Sequence, residues 1–238
     1  MKSLFSYIGL TITLFLVSYQ LSAQDFYKEK IPRNYYYQGG IGLGTMYADN
    51  GGSIRMFNVK VRPSLSGAVG RKISRLVDLK TYMGYQNFQS QDIDYFNPNV
   101  VNLWKEWGQA VESRGNVFYM DLMPTVNLFK SNSHTDRKDF NLYMGTGLGV
   151  LINFSNETRL ENENRVTTSH DHFAAYIPVR GGISYRLDIY SDIAIEGSLM
   201  FTFSDHLDGN EGFNRFNDHL LNGQIIYRRY ILSRKSMH

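Results

Sequence analysis

Few residues in this chain have the types and spacing for chemistry, and those few cluster. His170 and His172 share one polar segment, and His206 and His219 flank another. Ser204, Asp205, His206 and Asp208 place a nucleophile, a base and acids within one short stretch, the set that a lipid-modifying enzyme would need. His170 with His172 has the residue types of a metal site. Ser, His and Asp are also ordinary residues of polar loops, and nothing else in the sequence supports either chemistry. Gly39, Gly40, Gly42 and Gly44 lie inside a strand-patterned stretch, so they do not form a phosphate-binding loop. Asn156-Glu157-Thr158 is a glycosylation sequon by pattern only. Cysteine is absent, which removes thiolate ligands and disulfides. We therefore assign no catalytic, metal or cofactor residue from sequence, and expect no enzyme and no cofactor.

The surrounding elements must be read next. Lys2, the uncharged apolar run Leu4 to Val17, and the small-residue stretch Leu21-Ser22-Ala23 have the form of a cleavable signal peptide over residues 1–23. Beyond it no run of 18 apolar residues remains, so no transmembrane helix is expected. The chain carries 25 Lys and Arg against 22 Asp and Glu, too balanced to suggest nucleic acid. Aromatics make up 14% of residues, with 17 Tyr against 2 Trp, and there are 21 Gly. Interfacial aromatic girdles and a curved, side-chain-filled barrel use both.

Period-two alternation recurs eight times, at Tyr36–Ala48, Lys60–Arg71, Leu76–Gln89, Asn116–Lys130, Asp139–Ile152, Phe173–Leu187, Ser191–Ser204 and His219–Leu232. In each, an apolar face opposes a polar or glycine-rich one. Ile41 and Leu43 oppose Gln38 and Gly40, for instance, and Ile193 and Ile195 oppose Glu196 and Ser198. The connections alternate in length. Residues 72–75, 131–138 and 188–190 are short; 49–59, 90–115, 153–172 and 205–218 are long. Short periplasmic turns and long external loops are the pattern of outer-membrane barrels. The fold expected is all-β, an eight-stranded antiparallel transmembrane barrel over residues 35–232. It would sit in the outer membrane of a Gram-negative cell. A periplasmic segment (24–34) would precede it and a periplasmic tail (233–238) follow, so both termini would be periplasmic. A soluble barrel with an apolar interior is the alternative, and charges on the polar faces argue against it. Pro63 and Pro178 lie near strand starts, whereas Pro124 lies mid-strand and predicts a bulge.

The polar faces bring Arg62, Lys80, Arg180, Arg186 and Arg228 into the lumen with Asp78, Asp121 and Glu196. Buried charges persist when paired, so these are read as an ion-pair network that plugs the barrel. The expected periplasmic segments (24–34, 71–75, 130–139, 186–190, 228–238) hold 14 Lys and Arg against 5 Asp and Glu. This basic rim includes Lys28, Lys30, Arg33, Arg71, Lys72, Arg75, Arg137, Lys138, Arg234 and Lys235. It would attract anionic lipid headgroups or an acidic protein surface.

Several short stretches carry a family resemblance. Gly42-Leu43-Gly44-Thr45-Met46-Tyr47-Ala48-Asp49 is similar to a first strand ending in Tyr-x-Gly-Asp, and Arg62-Pro63 opens the second strand. The fullest match runs from Ile177-Pro178 through Gly182-Ile183-Ser184-Tyr185-Arg186-Leu187. It continues to Glu196 and Phe201-Thr202-Phe203-Ser204-Asp205-His206-Leu207-Asp208, before Asn217-Asp218. In these the chain resembles the PorG-like barrels of the type IX secretion system of Bacteroidetes. Ala48 stands where Gly is usual in that family, and His206 where Tyr is usual. The resemblance implies a non-enzymatic barrel that contacts a periplasmic ring of a lipoprotein and its partner. Such a barrel supports protein export and, in some species, gliding motility.

Overall fold

A strand with one apolar and one polar face must bury or solvate each separately, and eight such strands solve this together by closing into a ring. The computed structural model describes residues 35–53, 58–131, 137–161, 164–205, 207–210 and 217–231. The barrel strands are β1 (Tyr35–Tyr47), β2 (Arg62–Lys72), β3 (Val77–Gln89), β4 (Ala110–Asn127) and β5, in two segments (Phe140–Thr146 and Leu148–Glu161). β6 (Asn164–Arg186), β7 (Ser191–Thr202) and β8 (His219–Ile231) complete them. Every strand is antiparallel to its neighbours, and β8 pairs back onto β1 from Ile231↔Tyr35 to His219↔Tyr47, which closes the ring. The first long connection holds a small ribbon, Gly52–Ser53 with Asn58–Val59. The second holds a 3-10 turn (Ile93–Tyr95) and helix α1 (Pro98–Glu106), which Asn97 caps by accepting from Asn99 N.

The faces settle the environment. Ile41, Leu65, Met83, Phe118, Leu142, Ile183, Ile195 and Ile225 are exposed on the outer wall, while Gln38, Lys80, Asp121, Arg180, Glu196 and Gln224 are buried within. A continuous apolar outer band around a charged interior suits lipid outside, not water. Aromatic pairs mark two levels of this wall: Phe140 against Tyr185 near the short turns (centroids 4.8 Å apart) and Tyr85 against Phe118 near the long loops (5.2 Å). Among the described residues no helix is long and apolar enough to cross a membrane. The fold is an eight-stranded transmembrane β-barrel of the outer-membrane type, and the soluble alternative fails on its exterior.

Three expectations need correction. Residues 153–172 are not an open loop: β5 and β6 stay paired out to Glu161↔Asn164 as a protruding hairpin. Its outer part is polar on both faces (Asn164 to Asp171 are all exposed), so apolar alternation could not flag it. Strand β4 runs from Ala110 to Asn127 and so begins earlier and ends earlier than expected. The bulge expected at Pro124 is absent, since Thr125↔Gly145 and Leu122↔Leu148 keep one register. Even-numbered N–H groups of β4 point at β5, as Leu128 N does toward Leu142 O (2.8 Å). Pro124 therefore lacks its donor toward Thr146. On the other side, Gly147 N donates to Pro178 O (3.3 Å) and Pro178 can give nothing back. Two adjacent β5 carbonyls thus lose a donor, one on each side, and β5 divides there. The expected signal peptide, residues 24–34, His206, Arg234 and Lys235 lie outside the described residues.

Four inward tyrosines each face a glycine directly across the ladder: Tyr36↔Gly70, Gly84↔Tyr119, Tyr143↔Gly182 and Gly149↔Tyr176. A Cβ on Gly84 would lie 2.2 Å from Cζ of Tyr119, and one on Gly70 would lie 2.1 Å from Cζ of Tyr36. The glycine lets the ring lie flat over the neighbouring strand and project its hydroxyl into the lumen. Gly197 faces outward with nothing within 4 Å of its Cβ position. Gly84→Val is therefore expected to cost about 1–3 kcal/mol by overpacking, and Gly197→Val to be nearly neutral. Heat-modifiable gel migration and urea midpoints of the two variants in detergent check this.

Candidate functional site

The lumen has a middle and two dissimilar ends. In the middle, Asp121 of β4 and Arg180 of β6 face inward because they share the parity of the polar face. They form a two-pronged pair, with Nη1–Oδ1 and Nη2–Oδ2 both 2.7 Å. Tyr176 donates its hydroxyl to the same carboxylate at 2.5 Å. Glu196 of β7 accepts from Tyr82 and Tyr143, each at 2.9 Å, and lies 4.0 Å from Arg180 Nε. The Arg180 guanidinium sits 4.0 Å over the Tyr82 ring, and Lys80 Nζ 4.3 Å over the Tyr143 ring. Arg228 donates to Gln38 Oε1 (3.2 Å) and lies 3.6 Å from Asp192, and Tyr36 donates to Asp78 (3.1 Å). The charges are thus held by tyrosine hydroxyls and ring faces as much as by one another.

The structure brings Asp78, Lys80, Asp121, Arg180, Glu196 and Arg228 into this network and leaves two expected members out. Arg62 stands at the long-loop end of β2 opposite Gly44 and has no ion-pair partner among the described residues. Arg186 donates to the carbonyls of Arg137 and Asp188, at the short-turn end. Sequence reasoning missed Asp192, which pairs with Arg137 and accepts from Tyr230 at 3.1 Å. It also missed Tyr36 and Tyr176. All three have the parity of the polar face on their strands, and that was the available signal.

At the short-turn end, Lys72, Arg75, Arg137, Lys138, Arg186 and Arg228 surround one mouth with Asp78, Asp139 and Asp192. The cavity is about 40 Å³, room for a carboxylate group or a water rather than an organic ligand. One buried nitrogen of Arg228, Nη2, has no hydrogen-bond acceptor among the described residues. Arg71 is not part of this mouth. It points outward, with its guanidinium 5.4 Å over the Tyr35 ring, where a long cation can snorkel at a membrane interface.

The long-loop end is closed. Leu207 is fully buried in a cluster with Met46, Phe88, Val117, Tyr119, Leu151, Tyr176, Met200 and Leu220. Polar bonds stitch the loops above it. Asn210 accepts from Ala110 N (2.6 Å) and donates back to Ala110 O (3.0 Å). Asn50 donates to Asp208 O, and Asn153 to Leu207 O. Asp218 accepts from Leu207 N (2.8 Å), and Asp208 from Asn210 N (2.9 Å). Burial pushes Asp49 up to about 6, Asp208 to about 7 and Asp218 to about 9. Repulsion among Asp49, Asp205, Asp208 and Asp218 adds to it, and the backbone N–H bonds oppose it at Asp208 and Asp218. The Asp208 and Asp218 carboxylates are bound to loop backbone. Among the described residues no three His, Asp or Glu side chains form a metal-holding group.

No protein-family model matches the chain. No curated protein matches it either. Solved structures of similar shape include Neisserial surface protein A (TM-score 0.47, 10% identity, covering 82% of this chain and 96% of that one). A major outer membrane protein from Thermus thermophilus gives TM-score 0.47 and 12% identity, covering 84% and 99%. Ail, the attachment invasion locus protein of Yersinia pestis, gives 0.45 and 8%, covering 84% and 98%.

The lumen and the lid each generate a prediction. Asp121→Asn removes the two-pronged counter-charge of buried Arg180 and leaves it only Glu196 at 4.0 Å, and is expected to cost about 3 kcal/mol; the paired change Asp121→Leu with Arg180→Met should cost less, as read by urea midpoints in micelles. The lid acids titrate higher folded than unfolded, so the folded state holds extra protons and lid stability falls as pH rises from about 4 toward about 9. Amide protection of residues 207–210, normalised to intrinsic exchange, should fall over that range, and Asp208→Asn should flatten the fall.

Proposed function

We propose that this chain is a non-enzymatic outer-membrane component of a protein-export machine of the type IX kind, which also serves gliding where that occurs. Its short-turn end faces the periplasm, with both termini on that side, and docks a ring built by a lipoprotein and its partner. The observation that supports this most is the cationic mouth. Six Lys and Arg side chains from three strands and two turns are gathered round one opening with three carboxylates. Arg137 is tied to Asp192, and Lys72 to Ser131 O, so the rim is held in shape rather than left as loose surface charge. A rigid positive rim around a pocket of carboxylate size suits an acidic protein surface. The plugged lumen agrees with a scaffold rather than a pore. Outer-membrane lipid is the other expected partner, bound by the apolar wall and by Arg71.

A free-standing surface barrel is the second reading, favoured by the ordered lid at the opposite end. Detergent pull-down from native membranes separates the two. The combined variant Lys72→Glu, Arg75→Glu, Lys138→Glu should lower recovery of a periplasmic partner by about tenfold or more, with heat-modifiable migration unchanged. Normal export in a strain deleted for the gene would refute the export role.

A further inference from the structure

We propose that the long-loop end carries a binding pocket for a neutral saccharide, with Trp107 as its stacking platform and Glu157, Arg159, His170 and His172 as its hydrogen-bonding wall. The pocket holds about 230 Å³, on the scale of one sugar ring, and is open to solvent. It lies beyond the apolar band, where the β5–β6 hairpin is polar on both faces.

The platform is presented and fixed. Trp107 is 60% exposed. Its backbone N–H donates to Leu103 O (2.9 Å), and Gln109 N returns to Trp104 O (2.8 Å) across Gly108, whose φ of +66° makes the reversal. Trp104, one turn back, is buried edge-on against Phe96 with centroids 4.8 Å apart. Trp104 thus anchors the helix end, and Trp107 beyond it keeps most of its surface exposed. A large aromatic face next to polar groups suits the C–H face of a pyranose.

The wall is equally definite. Glu157 is 1% exposed, yet its carboxylate lines the pocket. Arg159 Nη2 lies 3.1 Å from it, His172 Nε2 3.5 Å and His170 Nε2 3.9 Å. His170 and His172 share one face of β6 because they are two residues apart, opposite Ser155 and Asn153 on β5. Their rings are nearly parallel, 22° apart. Gly209 closes the floor, since a Cβ there would lie 2.4 Å from the Glu157 carboxyl carbon. The Nε of Arg159 is buried without an acceptor among the described residues, a donor left open beside the cavity. Planar groups with paired donors and acceptors suit vicinal hydroxyls. One carboxylate lies against one guanidinium, so the permanently charged pair leaves no surplus cation for a phosphate or sulfate. Among the described residues these side chains do not form a metal-holding group.

The test is a glycan array probed with the full barrel in detergent, followed by calorimetric titration of the strongest neutral hit. Trp107→Ala and His170→Ala should each weaken that hit at least tenfold, Trp107→Phe should stay within a few-fold, and all three should keep heat-modifiable migration. No neutral glycan bound above a detergent blank would overturn the proposal. So would a hit that Trp107→Ala and His170→Ala bind unchanged, or one whose binding requires an added divalent cation.

Discussion

Everything else in this barrel depends on how its narrow lumen is filled. Eight strands enclose a space only wide enough for side chains, and here those side chains are charged. Arg180 and Asp121 meet in a two-pronged contact that neither could leave without stranding the other. The pair cannot satisfy every neighbouring lone pair and donor, and the tyrosines do that. Each of four rings lies over a glycine on the next strand, and three of their hydroxyls reach a carboxylate: Tyr36 to Asp78, Tyr143 to Glu196 and Tyr176 to Asp121. Larger residues at the glycines would lift the rings and unpair the acids. The small residues of one strand thus set the hydrogen-bonding and electrostatic balance of its neighbour.

That filling explains why the two ends differ. With the middle occupied by paired charge, surplus charge can only collect at the openings, where water can solvate it. The short-turn mouth has the surplus cations. The long-loop end takes the opposite course: Leu207 and an apolar cluster cap the polar middle, and buried aspartates tie the loops by accepting backbone N–H bonds. These aspartates bind protons more tightly than exposed ones because burial and mutual repulsion outweigh those bonds. One end is thus a charged, hydrated opening and the other a dry, knitted lid.

The alternation was strong enough to read strand number, faces and most of the lumen from sequence. Lys80, Asp121, Arg180 and Glu196 are inward because parity on a strand leaves no choice. What parity cannot supply is register between strands, and so the tyrosine–glycine pairs were invisible: Tyr119 and Gly84 are both inward, but only pairing makes them partners. The rim reading did not carry parity to the strand ends. Arg71 and Lys72 are adjacent, so one must point to lipid and the other to the mouth. The β5–β6 hairpin escaped because a strand with water on both faces has no apolar period. Pro124 misled for a related reason. Its cost falls on Thr146 of the partner strand, which a single-strand reading does not see.

The same packing bears on what the barrel can do. A solute crossing the lumen would have to part Arg180 from Asp121, displace Tyr82 and Tyr143 from Glu196, and then open the apolar cluster around Leu207. Each step strands a buried charge or exposes a core, and the costs fall in series along one axis. Contacts at either end need none of this, because both the mouth and the loop pocket lie outside the paired middle. A barrel so built sets two chemically different ends on either side of a middle filled by paired charge.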